Sequence, residues 1–92
     1  MRILVTPTFE RTVKKLLKQQ KAALDGAVRA IAKQPEVGES KVGDLAGVLV
    51  YKFRMGTLLC LLAYRVLDEN TLKLLMVGPH ENFYRDLKRS EH

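Results

Sequence analysis

The sequence holds one cysteine, two histidines and no apolar run long enough to cross a bilayer, and each shortage argues against a class of function. A single thiol, Cys60, cannot form an intrachain disulfide. It sits in the run Leu58-Leu59-Cys60-Leu61-Leu62. A small buried hydrophobe is expected there, because a reactive thiol needs an electropositive, partly exposed setting. The two histidines, one of them the final His92, form no zinc-spaced cluster with that cysteine. No glycine-rich phosphate loop follows a strand. Ser40 and Ser90 have no nearby histidine to activate them. No two carboxylates share a strand face. Metal catalysis, serine chemistry and glycoside hydrolysis all lack their residues. The start, Met1-Arg2-Ile3-Leu4-Val5, is too short an apolar segment for a secretory signal, whose core needs about 7–15 residues. The longest apolar run, Leu58 to Tyr64, is far below the roughly 20 residues of a membrane span. A soluble, cytoplasmic protein with no membrane partner is expected.

What is present is a modest core and an uneven charge. Ninety-two residues make one domain, 1–92, and 47% of them are apolar, enough to order the chain. The formal charge is +6. Residues 1–34 carry eight basic side chains against Glu10 and Asp25, while residues 35–92 carry eight basic and eight acidic. The whole excess lies in the first third. Such asymmetry points to an anionic partner (nucleic acid, an acidic protein or an anionic membrane, with RNA the foremost expectation), and the plain alternative is a solvated helix face.

The periodicity gives the fold class. Ile3-Leu4-Val5 is a short β-type run, and Thr6-Pro7 has the hydroxyl cap and first-turn proline of a helix start. Phe9, Val13, Leu16 and Leu17 make one helical stripe. Gln19-Gln20-Lys21 interrupts it. Leu24, Val28 and Ile31 begin a second stripe, stopped by Pro35. Residues 35–47 read as a loop. The period then changes to two: Leu49, Tyr51 and Phe53 alternate with Val50, Lys52 and Arg54. Met55-Gly56-Thr57 turns the chain into Leu58–Val66, a strand covered on both faces. Asp68-Glu69-Asn70 turns it again into Thr71–Val77. Gly78-Pro79 ends that strand, and Glu81–Arg89 reads as a short helix. The expected fold is α+β, ordered β-α-α-β-β-β-α. An N-terminal α-hairpin packs on a small, mainly antiparallel four-stranded sheet, with a short C-terminal helix.

The residues able to do chemistry are few. Lys52 and Arg54 are two apart on a strand and point the same way. Such a pair suits an anion held between them, or plain solvation. His80 falls where strand gives way to helix, and Tyr84, four residues on, is expected on the same helix face. Whether these two meet Lys52 and Arg54 depends on strand register. The set suits cleavage of RNA by its own 2′-OH. That reaction needs a base, cations for the charge building on phosphorus, and an acid for the leaving 5′-oxygen. Histidine serves as acid or base near neutral pH. Lysine and arginine stabilise the developing charge. Tyrosine stacks on a base or donates a proton. The scheme calls for no metal and no other cofactor.

The element order resembles that of the RelE/ParE superfamily of bacterial type II toxins. So do Tyr51-Lys52-Phe53-Arg54, the segment Leu62-Ala63-Tyr64-Arg65-Val66-Leu67-Asp68, and the ending Val77-Gly78-Pro79-His80-Glu81-Asn82-Phe83-Tyr84. The resemblance spans nearly the whole chain. It implies a RelE-like toxin, a ribosome-dependent endoribonuclease that cuts mRNA in the decoding site. It also implies a cognate antitoxin, and operator DNA bound through the toxin–antitoxin complex. Carried over residue by residue, Lys52 and Arg54 match the family's basic pair. His80 matches a catalytic histidine or arginine after the last strand, and Tyr84 matches the C-terminal aromatic. Arg11, Lys14, Lys15, Lys18 and Lys21 on the hairpin resemble the surface that meets ribosomal RNA. The family's usual third-strand arginine is here Leu61. Arg65, on the same face by alternation, is the expected substitute. A glutamate base of the kind found in the YoeB branch has no evident counterpart. Two other readings share the fold: a ParE-like inhibitor of DNA gyrase, and a basic nucleic-acid-binding domain without chemistry.

Overall fold

A computed structural model describes residues 1–91; His92 lies outside them. The elements are β1 (Arg2–Val5), α1 (Pro7–Lys14), α2 (Lys18–Lys33), β2 (Glu39–Ser40), β3 (Leu49–Met55), β4 (Leu58–Asp68), β5 (Thr71–Pro79) and α3 (Phe83–Ser90). Single 3-10 turns at Pro35–Val37 and Gly43–Leu45 flank β2. The sheet has five strands in the order β1-β5-β4-β3-β2. Strand β1 runs parallel to β5 at one edge, and every other pairing is antiparallel. The α+β class and the element order are those expected. The fifth strand is the addition: β2 is two residues long, inside the segment read as a loop. Two residues are too few to show an alternation.

The α-hairpin bends earlier than the polar interruption suggested. Thr6 caps α1, its Oγ1 accepting from the Phe9 N–H at 3.1 Å and donating to the Leu75 carbonyl at 2.7 Å. The helix ends at Lys14, and α2 already begins at Lys18. Gln20, inside the supposed break, instead stabilises the helix start: its Oε1 accepts from the Leu17 N–H at 2.8 Å. Leu17 therefore lies in the turn and is 65% exposed, not part of the apolar stripe.

The two faces of the sheet carry separate cores. Phe9, Leu24, Ala27 and Ile31 of the hairpin pack on Cys60, Leu62, Tyr64, Leu72, Leu74 and Val77. On the opposite face, Phe83 and Leu87 of α3, with Leu45 and Val48, cover Val50, Leu61, Ala63, Leu75 and Met76. A central strand with both faces buried follows, as the near-continuous apolar run of β4 requires. Cys60 is buried, as expected. Burial pushes its thiol pKa up, against a smaller opposing backbone hydrogen bond from Met55.

One irregularity determines what the second face carries. Ala63 pairs with Met76, but Tyr64 pairs with Leu74, so Leu75 is an extra residue in β5. A bulge of this kind shifts the alternation by one. Leu72 and Leu74 point to the hairpin; beyond the bulge, Val77 does so and Gly78 faces the other way.

Candidate active site

The register that the sequence left open brings the basic pair and the histidine to one face. Lys52 pairs with Leu61, and Leu61 with Gly78; Arg54 pairs with Leu59, and Cys60 with Pro79. His80 is thus one residue beyond the last pair, level with the Arg54–Leu59 row. Gly78 lies two strand spacings from Lys52, about 10 Å. Without the bulge at Leu75, unbroken alternation would have sent this end of β5 toward the hairpin. Lys52 and Arg54 are both exposed. One Arg54 nitrogen donates to the Thr57 carbonyl at 3.2 Å, which leaves the rest of the guanidinium for an anion.

After Pro79 the chain turns back across this face. The turn closes with the Phe83 N–H donating to the His80 carbonyl at 3.2 Å. Asn82 precedes the helix in the left-handed region, at φ 61°. Helix α3 starts at Phe83, not Glu81, so His80 lies in the turn and the shared helix face does not exist. The turn brings the rings together all the same: His80 and Tyr84 have centroids 6.2 Å apart at 85°. Phe83, wholly buried, meets Tyr84 at 5.6 Å and 88°. Tyr84 is half-buried, packed against the second core.

Two residues on this face were not anticipated. Glu39 pairs with Val50, so Glu39 and the residue two on, Lys41, share the face of Val50 and Lys52. The Lys41 ammonium lies over the Tyr84 ring, 4.9 Å from its centroid, and 3.3 Å from a Glu39 oxygen. Desolvation lowers the Lys41 pKa, but its contacts with Tyr84 and Glu39 outweigh that and leave it above the ordinary lysine value. Glu39 and Lys52, with Val37, Val50 and Tyr51, line an open depression of about 290 Å³ at the sheet edge. The only sequence signal was a glutamate and a lysine in a glycine-bounded loop, which is no signal by itself.

The position of β2 depends on Tyr64. This residue is fully buried on the hairpin side, and its hydroxyl reaches the loop. It donates to the Pro35 carbonyl at 2.6 Å and accepts from the Gly38 N–H at 2.9 Å. A Cβ at Gly38 would stand 2.6 Å from that oxygen, so the clasp requires glycine. Burial raises the Tyr64 pKa, which keeps the phenol neutral as the donor to Pro35.

Arg65 does not take the place left by Leu61. It shares the face but sits four residues along β4, about 13 Å away. Its guanidinium is also committed. Two nitrogens reach Glu91 Oε1 at 3.2 and 3.0 Å, and a third donates to the Ala46 carbonyl at 3.2 Å. It ties Glu91, just past α3, to Ala46, just past the Gly43–Leu45 turn. Leu61 is wholly buried in the second core, where no charge is needed. The hairpin cations Arg11, Lys14, Lys15, Lys18 and Lys21 are all exposed on the far side of the molecule. Of these, Lys21 pairs with Asp25 at 2.7 Å.

The arrangement thus offers cations, an imidazole and a phenol along one open face. Comparison with known proteins gives it a setting. Residues 3–88 match the family model of the ParE-like toxin of type II bacterial toxin–antitoxin systems. A search of the curated proteins found no match. A mutant of the Escherichia coli toxin RelE in the free state superposes with a TM-score of 0.73 at 19% identity, covering 98% of this chain and 90% of that one. A chain of the toxin–antitoxin complex RelBE2 from Mycobacterium tuberculosis is 30% identical, with a TM-score of 0.66 over 86% of this chain and 96% of that one. The YoeB dimer from Staphylococcus aureus matches with a TM-score of 0.65 at 20% identity, over 87% and 97%. Among the described residues no helix is long and apolar enough to cross a membrane. The chain belongs to the ParE-like toxins of type II toxin–antitoxin systems, within the RelE/ParE superfamily, and has the RelE/YoeB fold.

Proposed function

We propose that this toxin inhibits translation as an endoribonuclease that cuts mRNA on the ribosome. The observation that carries this reading is the placement of Lys52 and Arg54 on the same sheet face as the His80–Tyr84 pair, opposite the α-hairpin. In the proposed reaction the 2′-OH of the substrate attacks the adjacent phosphorus and expels the 5′-oxygen. Lys52 and Arg54 hold the charge that develops on the phosphate oxygens. His80 transfers a proton at the leaving or attacking oxygen. Tyr84 stacks on a nucleotide base and fixes the reacting phosphate between these groups. The hairpin cations, on the far side, dock against ribosomal RNA by charge, an interaction that weakens steeply with salt.

A cognate antitoxin of acidic character is the proposed protein partner, covering basic surface and blocking the site, with operator DNA bound through that complex. Relatives of the same fold were solved as RelBE and RelBE2 toxin–antitoxin complexes, which supports the pairing. Cytoplasmic action follows from the ribosome as target. The test is cleavage of mRNA on programmed ribosomes by wild type and by single alanine variants of the four residues. Loss of cleavage in His80→Ala, with the fold intact, is the expected result. Inhibition of DNA gyrase is the second reading, favoured by the ParE-like name of the matching family. DNA damage on induction with intact mRNA would establish that reading in place of the first.

A further inference from the structure

We propose that Lys41 is a positioning residue of this site, holding the Tyr84 ring in place for a nucleotide base, with Glu39 as its counter-ion. The inference rests on the nuclease reading and adds to it a residue outside the basic pair. Three observations carry it. The first is the contact: the ammonium is 4.9 Å from the ring centroid, within the range of cation–π attraction. The second is that the lysine is itself held. Its side chain is only 20% exposed, it pairs with Glu39 at 3.3 Å, and its backbone N–H donates to the Val48 carbonyl at 2.9 Å. A lysine present only for solubility would keep its ammonium in water. The third is the effort the fold makes to bring it there. The Tyr64 clasp fixes residues 35–38, and the two-residue β2 then directs Glu39 and Lys41 onto the site face.

Tyr84 needs such support. It stands in the first turn of an eight-residue helix whose N-cap, Asn82, makes no side-chain capping bond. Phe83 and His80 meet its ring at near-right angles, and Lys41 holds it from over its plane. The ring is only partly buried, so part of it is available to a base. Misplacement of a positioning group by about 1 Å costs up to ~100-fold in rate, so loss of Lys41 should act on turnover.

The experiment compares wild type, Lys41→Met, Lys41→Arg and Glu39→Gln on programmed ribosomes. Melting curves and the resonances of 13C-labelled tyrosine rings are recorded alongside. Lys41→Met should lower kcat about 10- to 100-fold with KM changed less than about threefold and the melting temperature kept. Its Tyr84 resonances should broaden or shift. Lys41→Arg should restore most of the rate and the wild-type spectrum, because a guanidinium also packs over an aromatic ring. Glu39→Gln should fall between. Wild-type turnover in Lys41→Met, or Tyr84 resonances unchanged by it, would overturn the proposal. If wild type arrests growth without cutting mRNA, the nuclease reading fails alone. Growth arrest lost in Lys41→Met and kept in Lys41→Arg would then still uphold the role of Lys41, and arrest unchanged in both would remove it.

Discussion

Replacing Tyr64 by phenylalanine deletes one oxygen and, with it, both bonds that hold the 35–38 segment to the sheet. The hydroxyl donates to Pro35 at 2.6 Å and accepts from Gly38 at 2.9 Å. Each such bond contributes about 0.5–1.5 kcal/mol net, so the pair is worth roughly 1–3 kcal/mol. Pro35 and Gly38 are half-buried, and water can satisfy the freed carbonyl and N–H, which keeps the loss inside that range. The ring itself is unchanged, so no cavity adds to it. A loss of about 2 kcal/mol lowers the melting temperature of a domain this size by roughly 8–16 °C. Urea unfolding followed by circular dichroism measures the loss directly, with the slope unchanged. A double-mutant cycle with Gly38→Ala sharpens the test. In wild type the new Cβ would stand 2.6 Å from the Tyr64 oxygen; in the phenylalanine background that atom is gone. The two substitutions should therefore couple, Gly38→Ala costing less in the double variant. Equal unfolding midpoints for wild type and Tyr64→Phe, or strict additivity in the cycle, would refute the clasp.

Alkaline pH should expose the same residue. Burial raises the Tyr64 pKa in the folded state, so its contribution is complete below the unfolded value of about 10 and is lost as pH rises through the folded one. Above about pH 10 wild type should lose stability faster than Tyr64→Phe, as urea midpoints across pH will show. The Cys60 thiol, raised by burial, should resist a disulfide-exchange reagent in the native protein and react fully in denaturant. Arg65→Ala should release the end of α3 from Glu91 and Ala46, costing roughly 1–2 kcal/mol and raising amide exchange in α3. Leu61→Ala, which opens a cavity between β4 and α3, should cost about 2–5 kcal/mol by denaturant unfolding.

The sequence carried the architecture well because periodicity reports burial. The period-two run of β3, the apolar β4 and the stripes around Phe9 and Leu24 are all consequences of two packed faces. What it could not carry were features set by pairing. The bulge at Leu75 leaves no mark in Thr71–Val77, yet it decides that the end of β5 serves the Lys52 face. The two residues of β2 are shorter than any period, so no pattern marks Glu39 and Lys41; the pairing with β3 and the Tyr64 clasp place them. The His80–Tyr84 pair was legible by spacing, but for the wrong reason: a turn, not a helix, joins the rings. Arg65 had the right face and the wrong row, because alternation gives the side of a sheet and says nothing of distance along it. The charge excess of residues 1–34 maps to exposed positions of β1 and the α-hairpin, away from the face that carries Lys52 and Arg54.

The most direct test of the central claim is the mapping of mRNA ends after incubation with programmed ribosomes, for wild type and His80→Ala. Wild type should leave new 5′-hydroxyl ends within the ribosome-covered codon, and His80→Ala should cut at least about 100-fold less at unchanged melting temperature. Equal cleavage by both proteins would contradict the assignment of His80, and intact mRNA with wild type would contradict the nuclease itself.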